Sequence, residues 1–421
     1  MRTSLSTLLL CLYWASSVPA AGPAATPQGP SNSPTQRVLS GMREAASMRW
    51  FGRPSQEQLA SLARIEERGA VIETEQDARG KPFLVVTWNG ADDGLEHLIE
   101  VSTIRWLDLS RTGVTDAGLA HIAPLKNLQV LKLQQTRVTD EGLAHLAGLT
   151  NLEGLALHDT KTSAAGLARL RALSKLTVLN LCWTQTGDDG AAALSGLGQL
   201  EELYLFDAKL TDRGVASLAR LRKLRALKLS YNEVTDEGLA HLQGMPKLEA
   251  LWLDFTQVSD AGLVYLQTIP GLRGLFLGDS QVTAAGLRHL TKLRGLETLD
   301  LANLPITDAG LQTLERCGGL TMLSLEGTDV TSAGMTSLAR LHLLTAINLS
   351  GTALDDRGVP QLARLGRISM LNLAHTGVTD AVLEHLDDWP QLTEINLRGT
   401  QVSAAALQSL ARLRPNLKVV R

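Results

Sequence analysis

From Ile104 onward the chain repeats one arrangement of apolar positions, L-x-x-L-x-L, as in Leu128, Leu131 and Leu133 and again in Leu152, Leu155 and Leu157. The arrangement restarts every 24 residues, at Ile104, Leu128, Leu152, Leu176, Leu200, Leu224, Leu248, Leu272, Leu296, Leu320, Leu344, Ile368 and Leu392. These thirteen units are in constant phase, with no insertion or deletion between starts. Strict alternation over so few residues predicts a short strand with one buried face. A threonine and an apolar residue follow. Then comes a column of helix-capping types: Thr115, Thr139, Ser163, Gly187, Thr211, Thr235, Ser259, Thr283, Thr307, Thr331, Asp355, Thr379 and Ser403. Such residues satisfy the free amides of a first helical turn. Asp often comes next (Asp116, Asp140, Asp212, Asp236), where the helix dipole favours negative charge. Apolar residues then recur at i, i+3 and i+6, as in Leu143, Leu146 and Leu149, predicting a three-turn helix.

A single strand–turn–helix unit cannot bury its own apolar face, so the units must stack. Parallel strands lie about 4.8 Å apart whereas helices need about 8–10 Å, so the stack bends with the strands on its inner side. Eleven glycines, from Gly118 to Gly358, recur at one place in the first helical turn and predict close packing between neighbouring units.

The consensus Leu-x-x-Leu-x-Leu-x-x-Thr-x-Val-Thr-Asp-Ala-Gly-Leu-Ala-x-Leu resembles a leucine-rich repeat (LRR) unit. Its Thr-Asp-x-Gly-Leu segment is similar to the cysteine-containing and ribonuclease-inhibitor-like subtypes, especially the long arrays of exported bacterial LRR proteins. The resemblance covers residues 104 to 421. Where that family usually has Asn or Cys after the strand, this chain mostly has Thr and only once Asn232. The resemblance implies an α/β solenoid, a right-handed horseshoe with a concave parallel β-sheet and convex helices, which binds other macromolecules, chiefly proteins, on its concave face.

The array needs end covers. Ser55-Gln56-Glu57-Gln58 reads as a capping box opening a helix with Leu59, Leu62 and Ile65 on one side and Gly69 at its close. Val71-Ile72 and Phe83–Val86 flank a turn and predict a hairpin, with Phe83, Val86 and Trp88 in the leucine positions of an atypical first unit that lacks three residues. Residues 38–103 thus form an N-terminal cap, 104–416 the thirteen repeats and 417–421 a final half repeat. Ahead of these, a basic start, a short apolar run and Val18-Pro19-Ala20 predict a signal peptide over residues 1–20. Four prolines among small polar residues predict a disordered leader over 21–37. The product is therefore expected to be exported: periplasmic, cell-surface or secreted.

Composition narrows the partner. With 40 Lys+Arg against 43 Asp+Glu and a net charge of -3, the chain lacks the basic excess that holds nucleic acid or anionic lipid. A monomer, with no cofactor and no membrane insertion after signal removal, is expected. Candidate chemistry is sparse. His121, His145, His241, His289 and His385 share one helix position, and even the adjacent His121 and His145 are one helix spacing apart, too far to ligate one metal. His158 and Cys182 occupy the same post-strand position in adjacent units, and a thiolate beside imidazolium is a way to activate cysteine, but an open sheet offers no oxyanion donors or pocket. Cys182 and Cys317 lie five units apart, which excludes a disulfide between them.

Aromatic residues are only 4% of the chain, so their placement is informative. Trp183, Tyr204, Phe206, Tyr231, Trp252, Phe255 and Phe276 fall at outward strand positions or just after the strand in five successive units, interspersed with Asp207, Asp254, Asp279 and Lys228. Rigid rings are enriched at binding hot spots. These rings and Asp207, Asp254 and Asp279 predict a concave site for a protein or peptide. A structural spacer in the cell envelope and a carbohydrate-binding module are the alternatives. Later units are more polar, with Asn348, Asn372 and Asn396 beside Gly327, Gly351 and Gly399.

Overall fold

The computed structural model describes residues 55–421, all within one compact unit. The expected signal peptide and leader, and the first residues of the expected cap, lie outside the described residues.

Sixteen strands form one sheet in chain order. The hairpin of β1 (Val71–Gln76) and β2 (Pro82–Thr87) is antiparallel, and every later neighbour is parallel. Register follows the period: Leu227 pairs with Leu251, and Leu251 with Leu275. The leucines of the pattern are the core, and Leu131, Leu133, Leu143, Leu146 and Leu149 are all completely buried.

Two expectations need correction. The helices are shorter than three turns: Asp140–Leu146 is among the longer ones, while Ala164–Leu167 and Leu263–Leu266 are single turns. The reason is the apolar spacing, which is three residues and so matches a 3₁₀-helix rather than the 3.6-residue α-helical turn. Leu149 and Leu152 accordingly donate their N–H to the carbonyls of Leu146 and Leu149, three residues back. At the hairpin, Leu84 rather than Phe83 takes the first leucine position. Leu84 pairs with Ile104, and a register shift after it brings Val86 opposite Leu107, so the three-residue deficit holds from Val86 onward. Phe83 is half-buried, with the Arg105 guanidinium over its ring.

The capping box at Ser55 is present, with Gln58 N–H on Ser55 Oγ and Ser55 N–H on Gln58 Oε1. At the other end Lys418–Val420 pairs with Glu394–Asn396 as the half repeat. Along the array most of the predicted caps accept from the first turn, as Thr139 does from Glu141 and Ser259 from Ala261. Gly187 departs from this. It is itself the first helical residue, follows Thr186 and has no side-chain cap.

Where an Asp follows the cap, its carboxylate reaches the next unit. Asp236 Oδ1 accepts the N–H of Ser259 and Oδ2 accepts its hydroxyl, at 2.7 and 2.6 Å. This explains eight of the eleven glycines in the column, Gly190, Gly310 and Gly358 being the exceptions. A Cβ on Gly262 would lie 2.3 Å from Asp236 Oδ1, so only glycine leaves room for the carboxylate of the preceding unit.

Candidate functional site

Three adjacent rows run across the units on the side of the sheet away from the helices and along its rim. The strand row holds Tyr204, Lys228, Trp252, Phe276 and Asp300, paired in register. Two residues on are His158, Cys182, Phe206, Ser230 and Asp254. One further is the rim row: Asp159, Trp183, Asp207, Tyr231, Phe255 and Asp279.

Local backbone chemistry fixes the rim. Each of its residues has positive φ, including Trp183 (52°), Tyr231 (60°) and Phe255 (54°). That conformation turns the N–H sideways, so that Trp183 donates to Phe206 O at 2.8 Å, Tyr231 to Asp254 O and Phe255 to Gly278 O, both at 2.9 Å. The ladder thereby continues past the strand. Left-handed backbone favours glycine, and a non-glycine residue there costs about 1–2 kcal/mol. In the later units Gly327, Gly351 and Gly399 occupy this position.

A second concession lies in the strand row. Asp108, Asn180, Asp300, Asn348, Asn372 and Asn396 each accept the N–H two residues ahead through a side-chain oxygen, which supports the turn into the rim. Tyr204, Lys228, Trp252 and Phe276 have no carbonyl or carboxylate to offer there. Over the same units, two positions that elsewhere serve the fold carry large side chains instead.

The rings pack in two groups. Along the rim, His158, Trp183, Phe206, Tyr231 and Phe255 form an unbroken chain with centroid separations of 5.0, 4.8, 4.7 and 4.0 Å. In the strand row Tyr204 meets Trp252 at 6.5 Å, and Trp252 stacks on Phe276 at 5.0 Å with planes 7° apart. Their exposure differs sharply. Trp183, Tyr231 and Phe255 remain 49%, 45% and 43% exposed, whereas Trp252 is 7% and Phe276 2% exposed. Trp252 and Phe276 are therefore not the free anchors that outward alternation predicts. Adjacent large side chains at one strand spacing cover one another, and these two rings form a buried floor beneath the exposed rim.

Charges surround the rim. Asp207 binds Lys209 Nζ at 2.6 Å, Asp279 accepts from Asn303, and Asp159 accepts from Gln135. Asp254 accepts from Ser230 Oγ at 2.9 Å, and burial pushes its carboxyl above the usual value. Tyr231 is likewise raised, first by burial and then by Asp279, Asp207 and Asp254. Lys228 Nζ lies over the Phe206 ring at 5.2 Å.

The alternative chemistry finds no support in these surroundings. Burial pushes the Cys182 thiol up and the His158 imidazole down, so each is held neutral, the reverse of a thiolate–imidazolium pair. Among the described residues no group of three acidic, His or Cys side chains could hold a metal. His385 instead meets Asp388, and His289 meets Gln267.

The model of the leucine-rich repeat region matches residues 88–308, over half the chain. The chain is a leucine-rich repeat protein. Among solved structures this LRR protein is similar to an internalin from Listeria monocytogenes, with a TM-score of 0.51 and 22% identity over 68% of this chain and 85% of that one. It is also similar to an LRR protein of Leptospira interrogans, with a TM-score of 0.52 and 18% identity over 77% and 92%. Both likenesses are of fold. No curated protein matches the sequence. Among the described residues of this LRR protein, no helix is long and apolar enough to cross a membrane.

Proposed function

We propose that this LRR protein recognises another protein or peptide on the rim of its sheet, without chemistry of its own, and that it acts after export. The observation that carries the reading is the exposure of Trp183, Tyr231 and Phe255 on left-handed backbone, where the fold alone would favour glycine. Exposed rings fixed by stacking and by inter-unit hydrogen bonds lose little freedom on binding, which is what a recognition surface needs. Phe206, Asp207, Asp254 and Asp279 complete the surface. Tyr204, Trp252 and Phe276 support it from below. The general use of LRR arrays as binding scaffolds agrees with this reading, and the N-terminal sequence supports export.

The test is site-directed photocrosslinking. Benzoylphenylalanine is placed at Phe255 on the rim or at Leu343, which is exposed elsewhere, and each protein is irradiated with the exported and surface proteins of the source cell. A discrete adduct from the Phe255 position and none from Leu343 is expected. Equal labelling from both, or none from Phe255, would contradict rim recognition.

A further inference from the structure

The rim row carries more than rings. Read across the units its order is Asp159, Trp183, Asp207, Tyr231, Phe255, Asp279, with carboxylates bracketing and interrupting the aromatics. All six occupy the same left-handed position and so project from equivalent points of successive units. The array as a whole is nearly neutral, and the cations beside this row among the described residues are few: Lys228 over Phe206, Lys209 on Asp207 and, at one end, Arg111, which acts on His158. A ring face beside a carboxylate is complementary to guanidinium, which stacks on the one and hydrogen-bonds to the other.

Building on the recognition reading above, we propose that the ligand is an extended peptide bearing arginines, each seated between a rim aromatic and a rim aspartate. The geometry also sets their spacing. Units advance about 4.8 Å along the row, so Asp159 and Asp207, two units apart, are about 10 Å apart, and Asp207 and Asp279, three units apart, about 14 Å. An extended chain advances about 3.3 Å per residue. Because its side chains alternate between two faces, only even steps keep arginines on the row, and arginines four residues apart, about 13 Å, match Asp207 and Asp279. Lys209 is the built-in competitor, because it holds the Asp207 carboxylate that one of the two arginines must take.

The experiment uses the full chain and a fluorescein-labelled hexapeptide with arginine at its first and fifth places and serine or alanine elsewhere, read by fluorescence anisotropy. Saturable binding is expected, weakening with salt. The lysine version should bind at least fivefold more weakly, and the glutamate version not at all. The pair Asp207→Asn with Asp279→Asn should weaken binding at least tenfold, whereas Asp93→Asn with Asp387→Asn, an equal charge change away from the row, should leave it within twofold. Lys209→Ala should tighten it. Equal loss from both Asn pairs would show mere charge attraction and overturn the proposal, as would stronger binding of a neutral hexasaccharide. If the arginine peptide fails while crosslinking at Phe255 persists, the cationic ligand is wrong and rim recognition stands. If both fail, both are wrong.

Discussion

Thr139 gives both its N–H and its hydroxyl to the carboxylate of Asp116, at 2.8 and 2.6 Å, across the boundary between two units. The same clasp joins Asp92 to Thr115, Asp140 to Ser163, Asp188 to Thr211 and Asp380 to Ser403. Charge-assisted bonds of this kind are worth more than neutral ones. They hold units together on the helix side, as the sheet ladder does on the other.

Replacing Asp236 with alanine should therefore destabilise the array by about 1–3 kcal/mol, since it leaves the Ser259 donors without their acceptor. Urea unfolding measures this. The clasps also predict a pH dependence. At Asp188 burial raises the carboxyl's pKa, but the bonds from Thr211 and Arg213 outweigh it, and at Asp380 those from Ser403 dominate; both end below the ordinary 3.8. A carboxylate with a depressed folded value stabilises the fold above its unfolded value and ceases to do so as pH falls through the folded one. The melting temperature should thus show little loss from these groups down to about pH 4 and fall below it.

The glycine column makes a sharper distinction between units. Gly262→Ala would thrust a methyl group against Asp236 and should cost about 1–3 kcal/mol. At Gly310 the preceding unit has Ala284 instead of Asp, and the added carbon meets only Ile306, Ala284 and Leu287 at 3.1, 3.2 and 3.4 Å. There the gain in helix propensity, about 1 kcal/mol, offsets the crowding, so Gly310→Ala should be nearly neutral by thermal melting. Equal losses at both sites would remove the carboxylate as the cause.

Cys182 and Cys317 are both free and buried. Desolvation raises both thiols, that of Cys317 to about 11. Neither should react with a thiol reagent at pH 8 in the folded protein, and both should react promptly in urea. The melting temperature should be the same with and without reductant.

The repeat, its phase, the strand residues and the caps were legible in the sequence because each depends on local pattern. The inter-unit clasp has a signal of its own, since Asp116, Asp140, Asp212 and Asp236 each stand 23 residues before a Ser or Thr, but the dipole preference of a first helical turn accounts for those Asp residues equally well. Leu143, Leu146 and Leu149 predict too long a helix when read as an α-helical face, because their spacing is that of 3₁₀ turns. The burial of Trp252 and Phe276 was illegible for another reason. Alternation assigns a face, whereas burial on that face depends on how large side chains in neighbouring units lie over one another. The left-handed rim escaped too, since Trp183, Tyr231 and Phe255 occupy a position that only Gly327, Gly351 and Gly399 mark by composition.

The division between a buried aromatic floor and an exposed aromatic rim is the centre of this account. It is tested most directly by the urea midpoint of two variants. Trp252→Ala removes a buried ring and should cost about 3–5 kcal/mol. Phe255→Gly loses one stacking contact worth about 1 kcal/mol and the burial of the covered part of one ring, but relieves a left-handed cost of about 1–2 kcal/mol. Its midpoint should therefore lie close to that of the unaltered protein. A Phe255→Gly protein that unfolds as early as Trp252→Ala would mean that the rim rings are held for stability, and the recognition surface would lose its support.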